Sequence, residues 1–172
     1  MRRLRSATSR GERLLVHAIG RMWNPFIGIN RALPNDRPDN FDISLSYGIH
    51  SASEINTYND TYTKDLVEDD VTTQMELTDE ELDVIYEKMK EVDILNNPEL
   101  INEDPCTIPH AENHLTVTVD GVEVQRDWIT AQCDDPKEAE QLLESFVNTI
   151  HQDIVGEREE YEALPDAYGG YH

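Results

Sequence analysis

From residue 41 onward, apolar and polar positions repeat with strand or helix periods. Phe41, Ile43, Leu45 and Tyr47 alternate with Asp42, Ser44 and Ser46, the period of two expected for a strand buried on one face. Gly48 ends this run. Residues 54–64 are rich in Thr and Tyr and predict a weaker strand, with a break at Asn59-Asp60. Val71, Thr73, Met75 and Leu77 alternate again as a third strand.

The period then changes. Leu82, Ile85, Tyr86, Met89 and Val92 form a stripe at helical spacing. Thr78 and Glu81 stand at capping-box spacing ahead of it, and Leu77 and Leu82 at the positions of a hydrophobic staple. Asp79, Glu80 and Glu81 suit the positive end of the helix dipole. Asn96-Asn97-Pro98 closes the helix. After a proline-containing loop, residues 96–111, two alternating runs flank Asp120-Gly121, a strong hairpin signal. A two-residue turn there puts Leu115, Val117 and Val119 on one face with Val122, Val124 and Trp128. His114, Thr116, Thr118, Glu123, Gln125 and Asp127 then share the other. A last helix begins at Asp135-Pro136, with Asp135 as cap and Pro136 in the first turn. Ala139, Leu142, Leu143, Phe146, Val147, Ile150 and Ile154 make its stripe. Gly156 is its expected end, with a short continuation over 157–164.

The order β-β-β-α-β-β-α predicts an α+β domain: an antiparallel sheet of about five strands with two helices packed on one face. That arrangement buries every stripe named above. The domain spans 39–165, behind a basic arm and linker (1–38) and ahead of a flexible tail (166–172).

Charge divides the chain along the same line. Residues 1–38 hold eight arginines against two acids, and residues 39–172 hold six basic residues against 34 acids, a net −28 within a whole-chain charge of −22. A body that negative repels phosphate backbones, which argues against nucleic acid as a partner. It points instead to a basic protein or peptide, or to a surface adapted to salt. In the head, Leu15, Val16, Ile19, Met22 and Trp23 gather on one side of a helical wheel, with Arg10, Arg13, His17 and Arg21 opposite. Arg10, Arg13, Arg21 and Trp23 are therefore the candidate arm for a membrane surface or partner. The same arm can also fold back on the acidic body. No run reaches the ~20 apolar residues of a membrane span, and Leu14–Ile19, broken by His17, makes a poor signal-peptide core. Cytoplasmic or membrane-peripheral placement is favoured over secretion.

Candidate chemistry is sparse. Cys106, His110 and His114 are spaced four apart, a donor set that suits zinc if the loop folds them together. Pro105 and Pro109 oppose the regular helix that would align them. The hairpin register sets Cys133 across from Ile108, two residues from Cys106, so a Cys106–Cys133 disulfide can clasp the open end of the hairpin in an oxidising compartment. The acid runs Glu68-Asp69-Asp70 and Asp134-Asp135 lack the glycine-containing spacing of a calcium loop. Tyr58, Tyr62, Tyr168 and Tyr171 are candidate contact residues. No nucleophile–base spacing and no phosphate-binding glycine loop is present, so no catalytic residue and no cofactor is assigned.

The element order, the patch Tyr62-Thr63-Lys64-Asp65, the helix entry Leu77–Glu81 and the ending Leu164-Pro165 to Gly169-Gly170-Tyr171 together resemble an uncharacterised family of small bacterial proteins. That family is Gram-positive and often lipoprotein-like. The resemblance covers roughly 41–171 and implies no catalytic residues; the head departs from it in having no lipobox cysteine. The expected function is a non-enzymatic binding module with an acidic surface. The alternatives are a metal-dependent or thiol enzyme centred on the 103–114 loop, and a membrane-surface accessory protein that uses the basic head.

Overall fold

The computed structural model describes residues 32–96, 108–130 and 138–171. The chain is α+β, built on one open antiparallel sheet of six strands: β1 (Asp42–Tyr47), β2 (Ser53–Asn56), β3 (Thr61–Asp65), β4 (Asp70–Gln74), β5 (Ala111–Val119) and β6 (Val122–Thr130). Their order across the sheet is β4-β3-β2-β1-β5-β6. The sheet has one strand more than the expected five. Residues 54–64 fold as two strands, paired from Glu54–Thr63 to Asn56–Thr61, and Asp60 takes a left-handed φ of 52° in the turn between them. Aspartate tolerates that conformation better than most residues. The Asn59-Asp60 break is thus a chain reversal.

The β5–β6 hairpin has the register expected from its sequence. Val119 faces Val122, and Leu115 faces Arg126. Asp120 and Gly121 both have positive φ, 51° and 71°, the conformation a twisted two-residue turn requires. β1 lies at the centre, pairing with β2 on one side and β5 on the other. Its inward residues Ile43 and Leu45 are fully buried.

α1 (Asp79–Glu91) starts with the predicted capping box: Thr78 N–H donates to Glu81 Oε2 (2.7 Å) and Glu81 N–H to Thr78 Oγ1 (3.3 Å). Such a cap stabilises by about 1 kcal/mol. Lys88 and Lys90 sit in the last turn, where the dipole favours them. α1 buries Ile85, Tyr86 and Met89. α2 (Glu138–Asn148) buries Leu143 and Phe146, and then widens into a π-helical turn, Thr149–Ile154. With the wider turn Thr149, Ile150, Ile154 and Val155 are all buried. A 3-10 turn, Val155–Glu157, follows, and extended backbone at Arg158 (φ −90°, ψ 136°) separates it from a third helix, α3 (Glu159–Glu162). Two helices are expected in the 39–165 domain and three are found among the described residues, because the continuation after Gly156 closes into its own turn. The predicted cap Asp135 and Pro136 lie outside the described residues.

Both ends of the described chain are bonded to the body. Tyr86 OH donates to Pro34 O (2.9 Å), Lys90 Nζ to Asn35 O (2.9 Å), and Arg37 bridges Asp79 (2.8 Å) and Asp83 (2.6 Å) at the start of α1. At the other end Tyr168 bridges Val67 in parallel, and Tyr171 OH donates to Asp65. Val67 is β-branched yet has φ 75°, a strained conformation. Its N–H donates to Asp65 Oδ1 (2.7 Å), which holds it in place.

Candidate functional site

The core and the helices occupy one face of the sheet, and strand alternation sends every second residue to the other. Register places Asp42, Glu54, Asp65, Asp70, Glu112, Glu123 and Asp127 on that second face. Ser44, Asn56, Thr61, Thr63, Thr72, Thr116 and Thr118 fill most of the positions between them. No Lys or Arg of a described strand points there: Lys64 pairs with Val71 and Arg126 with Leu115, both on the helix side. The outer residues of β1, β2 and β5 are half-buried or exposed, and those of β6, from Glu123 to Asp127, are exposed. Hydrogen bonds order the centre of this face. Glu54 accepts from Ser44 Oγ (2.6 Å) and Asn56 Nδ2 (3.1 Å), Asp42 from Thr57 Oγ1 (3.0 Å), and Thr63 meets Thr72 across strands at 2.8 Å.

At one end of the sheet, on the helix side, a cleft of ≈ 700 Å³ opens between the β1 and β5 ends and the π-helical turn. Glu144, Val147, Asn148 and His151 line its helical wall, one face at spacings of three and four. Tyr47, Ser53, His110 and Asn113 line the sheet side. The Tyr47 hydroxyl lies 2.9 Å from His151 Nδ1 and 3.3 Å from the Tyr62 hydroxyl. Asn113 is buried and donates to Trp128 O (3.3 Å) and Thr130 Oγ1 (3.0 Å).

Burial, with the charge of Lys64 adding to it, lowers the His151 pKa below its usual value. Burial and the neighbouring Tyr62 push the Tyr47 pKa well up. Both groups are therefore neutral at pH 7, and their hydrogen bond ties the central strand to the π-helical turn. It offers neither a phenolate nor an imidazolium for chemistry.

A pH dependence follows from His151. Unfolded, it takes up a proton near pH 6.5, and in the fold only at lower pH, so between those values the unfolded chain binds more protons. Its neutral contact is fully present above pH 6.5 and is lost as pH falls through the folded pKa. The groups facing the ring are Tyr47, Tyr161 and Lys64. Wild type is expected to lose its stability advantage over His151→Gln as pH falls from 8 to 5, measured by urea unfolding. A difference constant across that range would rule out a neutral buried imidazole.

Of the candidate metal residues Cys106, His110 and His114, only the two histidines are described. His114 Nδ1 lies 2.8 Å from Asp127 Oδ1, and His110 Nε2 lies 3.7 Å from Glu112 Oε1. Among the described residues no three His, Cys, Asp or Glu side chains come together. Cys106, Cys133 and the arm residues Arg10, Arg13, Arg21 and Trp23 lie outside the described residues. The four candidate tyrosines do not form one surface. Tyr62 is fully buried in the core, and Tyr58, on the outer face, reaches Thr118 Oγ1 at 2.8 Å. Tyr168 and Tyr171 belong to the tail contact at Val67 and Asp65. No described helix is long and apolar enough to cross a membrane.

The Tyr47–His151 contact was not legible from sequence spacing, since the two residues are 104 positions apart. Only the i, i+3, i+7 pattern of Glu144, Val147 and His151 hinted that these residues share a face. Comparison with known proteins finds no matching family model, no similar curated protein and no similar solved structure.

Proposed function

We propose that the domain is a non-enzymatic binding module, and that the face of its sheet opposite the described helices receives a basic protein or peptide. The observation that carries this reading is the composition of the face: seven strand carboxylates, with no Lys or Arg on the described strands beside them. Such a face attracts a cationic partner over a distance set by the Debye length, about 10 Å at 0.1 M salt. The resemblance to small bacterial proteins adds no residues to this reading.

The test is a binding titration of the full chain with a fluorescent Lys-rich peptide at low ionic strength. The triple variant Glu112→Gln, Glu123→Gln, Asp127→Asn removes three outer-face charges. Glu80→Gln, Glu144→Gln, Glu162→Gln removes three exposed charges on the helices. At roughly 0.2–1 kcal/mol for each exposed pair, the first variant is expected to bind about three- to a hundredfold more weakly. The second should change far less. Equal losses would mean that net charge alone attracts the peptide, and the assignment to the sheet face would fall.

A further inference from the structure

The six-stranded sheet is not closed, and its two edges are unequal. β4 is five residues long and β6 nine, about 30 Å of strand at the usual rise. Which backbone groups β6 leaves open follows from the pairing. Glu112 N–H donates to Gly48 O, so Glu112, His114, Thr116 and Thr118 turn their backbone groups toward β1. Their alternates, Asn113, Leu115 and Val117, turn toward β6, where they face Trp128, Arg126 and Val124. Glu123, Gln125, Asp127 and Ile129 must therefore point their N–H and C=O groups away from the sheet. Of these eight groups, one is engaged among the described residues: Gln125 O accepts from the neighbouring Arg126 Nη1 at 2.8 Å. The same residues place their side chains on the acidic outer face.

We infer that the basic partner is captured in extended form, as a seventh strand added to the free edge of β6. This rests on the reading that the partner is basic, and adds how it is held. An added strand satisfies the edge N–H and C=O groups, and its alternate side chains fall on the outer face beside Glu123 and Asp127. Lysine or arginine at every second position meets those carboxylates. A second copy of this chain is the poorer occupant. In the antiparallel register centred on Gln125, Glu123 of each copy would oppose Asp127 of the other, like charges directly across a strand pair.

The test uses the full chain and a nonapeptide of alternating Lys and Thr, with two further versions N-methylated at every Lys or at every Thr. All three carry the same charge, but each methylated version has lost the N–H donors of one strand edge. One methylated peptide is expected to bind at least tenfold more weakly than the parent, while the other stays close to it. In amide hydrogen exchange, the N–H groups of Glu123, Gln125, Asp127 and Ile129 should exchange freely in the unbound protein and gain at least tenfold protection with the parent peptide. Gln125→Pro removes an outward donor without breaking a bond to β5, and should weaken binding relative to Gln125→Ala. Should that variant misfold, the peptide series and the exchange data still decide. Equal binding of all three peptides, with no new protection at the edge, overturns strand addition and leaves recognition by the acidic face standing. Slow exchange at the four amides before peptide is added shows that the edge is already occupied, by this chain or a second copy, and overturns it too. No binding of the parent peptide removes both readings.

Discussion

Truncating Phe146 to alanine is expected to cost about 3–5 kcal/mol, the range for removing a buried phenylalanine without refilling its space. The side chain is fully buried on α2 and faces Trp128 on β6, with ring centroids 6.4 Å apart. It is thus one of the groups that hold α2 to the hairpin edge of the sheet. Against the 5–15 kcal/mol typical of whole domains, that loss is a large fraction. It should lower the thermal midpoint by roughly 10–20 °C for a domain of this size. Val84 on α1 is 45% exposed, and Val84→Ala should stay within about 0.5 kcal/mol. Urea unfolding of both variants checks the contrast. A loss below 1 kcal/mol at Phe146 would mean that α2 does not pack on β6 as described.

Added sodium chloride is expected to stabilise the protein. Two like unit charges 10 Å apart repel by about 0.4 kcal/mol in unscreened water, and residues 39–172 hold 34 acids against six bases. Dozens of such pairs outweigh the favourable ones. The ion pairs of Arg37, Lys88, Lys90 and Arg158 with their carboxylates are surface pairs, worth about 0–1 kcal/mol each. Salt screens both kinds, so the larger sum decides the sign. Raising the concentration from about 0.01 M to 1 M shortens the Debye length from ~30 Å to ~3 Å. The midpoint should climb by on the order of 10 °C, equivalent to a few kcal/mol for a domain of this size. Chloride is the better choice because sulfate also strengthens apolar burial. A flat or falling midpoint would show that the acids are compensated locally.

Most of the architecture was legible because local rules and burial agree along the chain. Alternation in β1 and in the β5–β6 hairpin marks which residues are inward, and Ile43, Leu45, Leu115, Val117 and Trp128 are all buried. The Thr78–Glu81 box fixes the start of α1 through contacts three residues apart, and Asp120-Gly121 fixes a register through its own backbone conformation. The 54–64 segment was harder to read. Its Thr- and Tyr-rich pattern predicts one weak strand with a break at Asn59-Asp60, and that the break reverses the chain becomes evident only once β2 and β3 pair.

The sequence by itself determined the α+β class, the inward and outward residues of β1, β4 and the β5–β6 hairpin, and the acidity of the body. Each is a matter of local period or summed charge. Tertiary structure alone decided the strand order, with β1 between β2 and β5 and β6 at one edge of the described sheet. It also decided the π-helical turn that brings His151 to Tyr47, and the gathering of seven carboxylates on the sheet face opposite the described helices. Periodicity tells a residue which side of its own strand it occupies, but not which strand lies beside it. That choice depends on how distant apolar faces pack together.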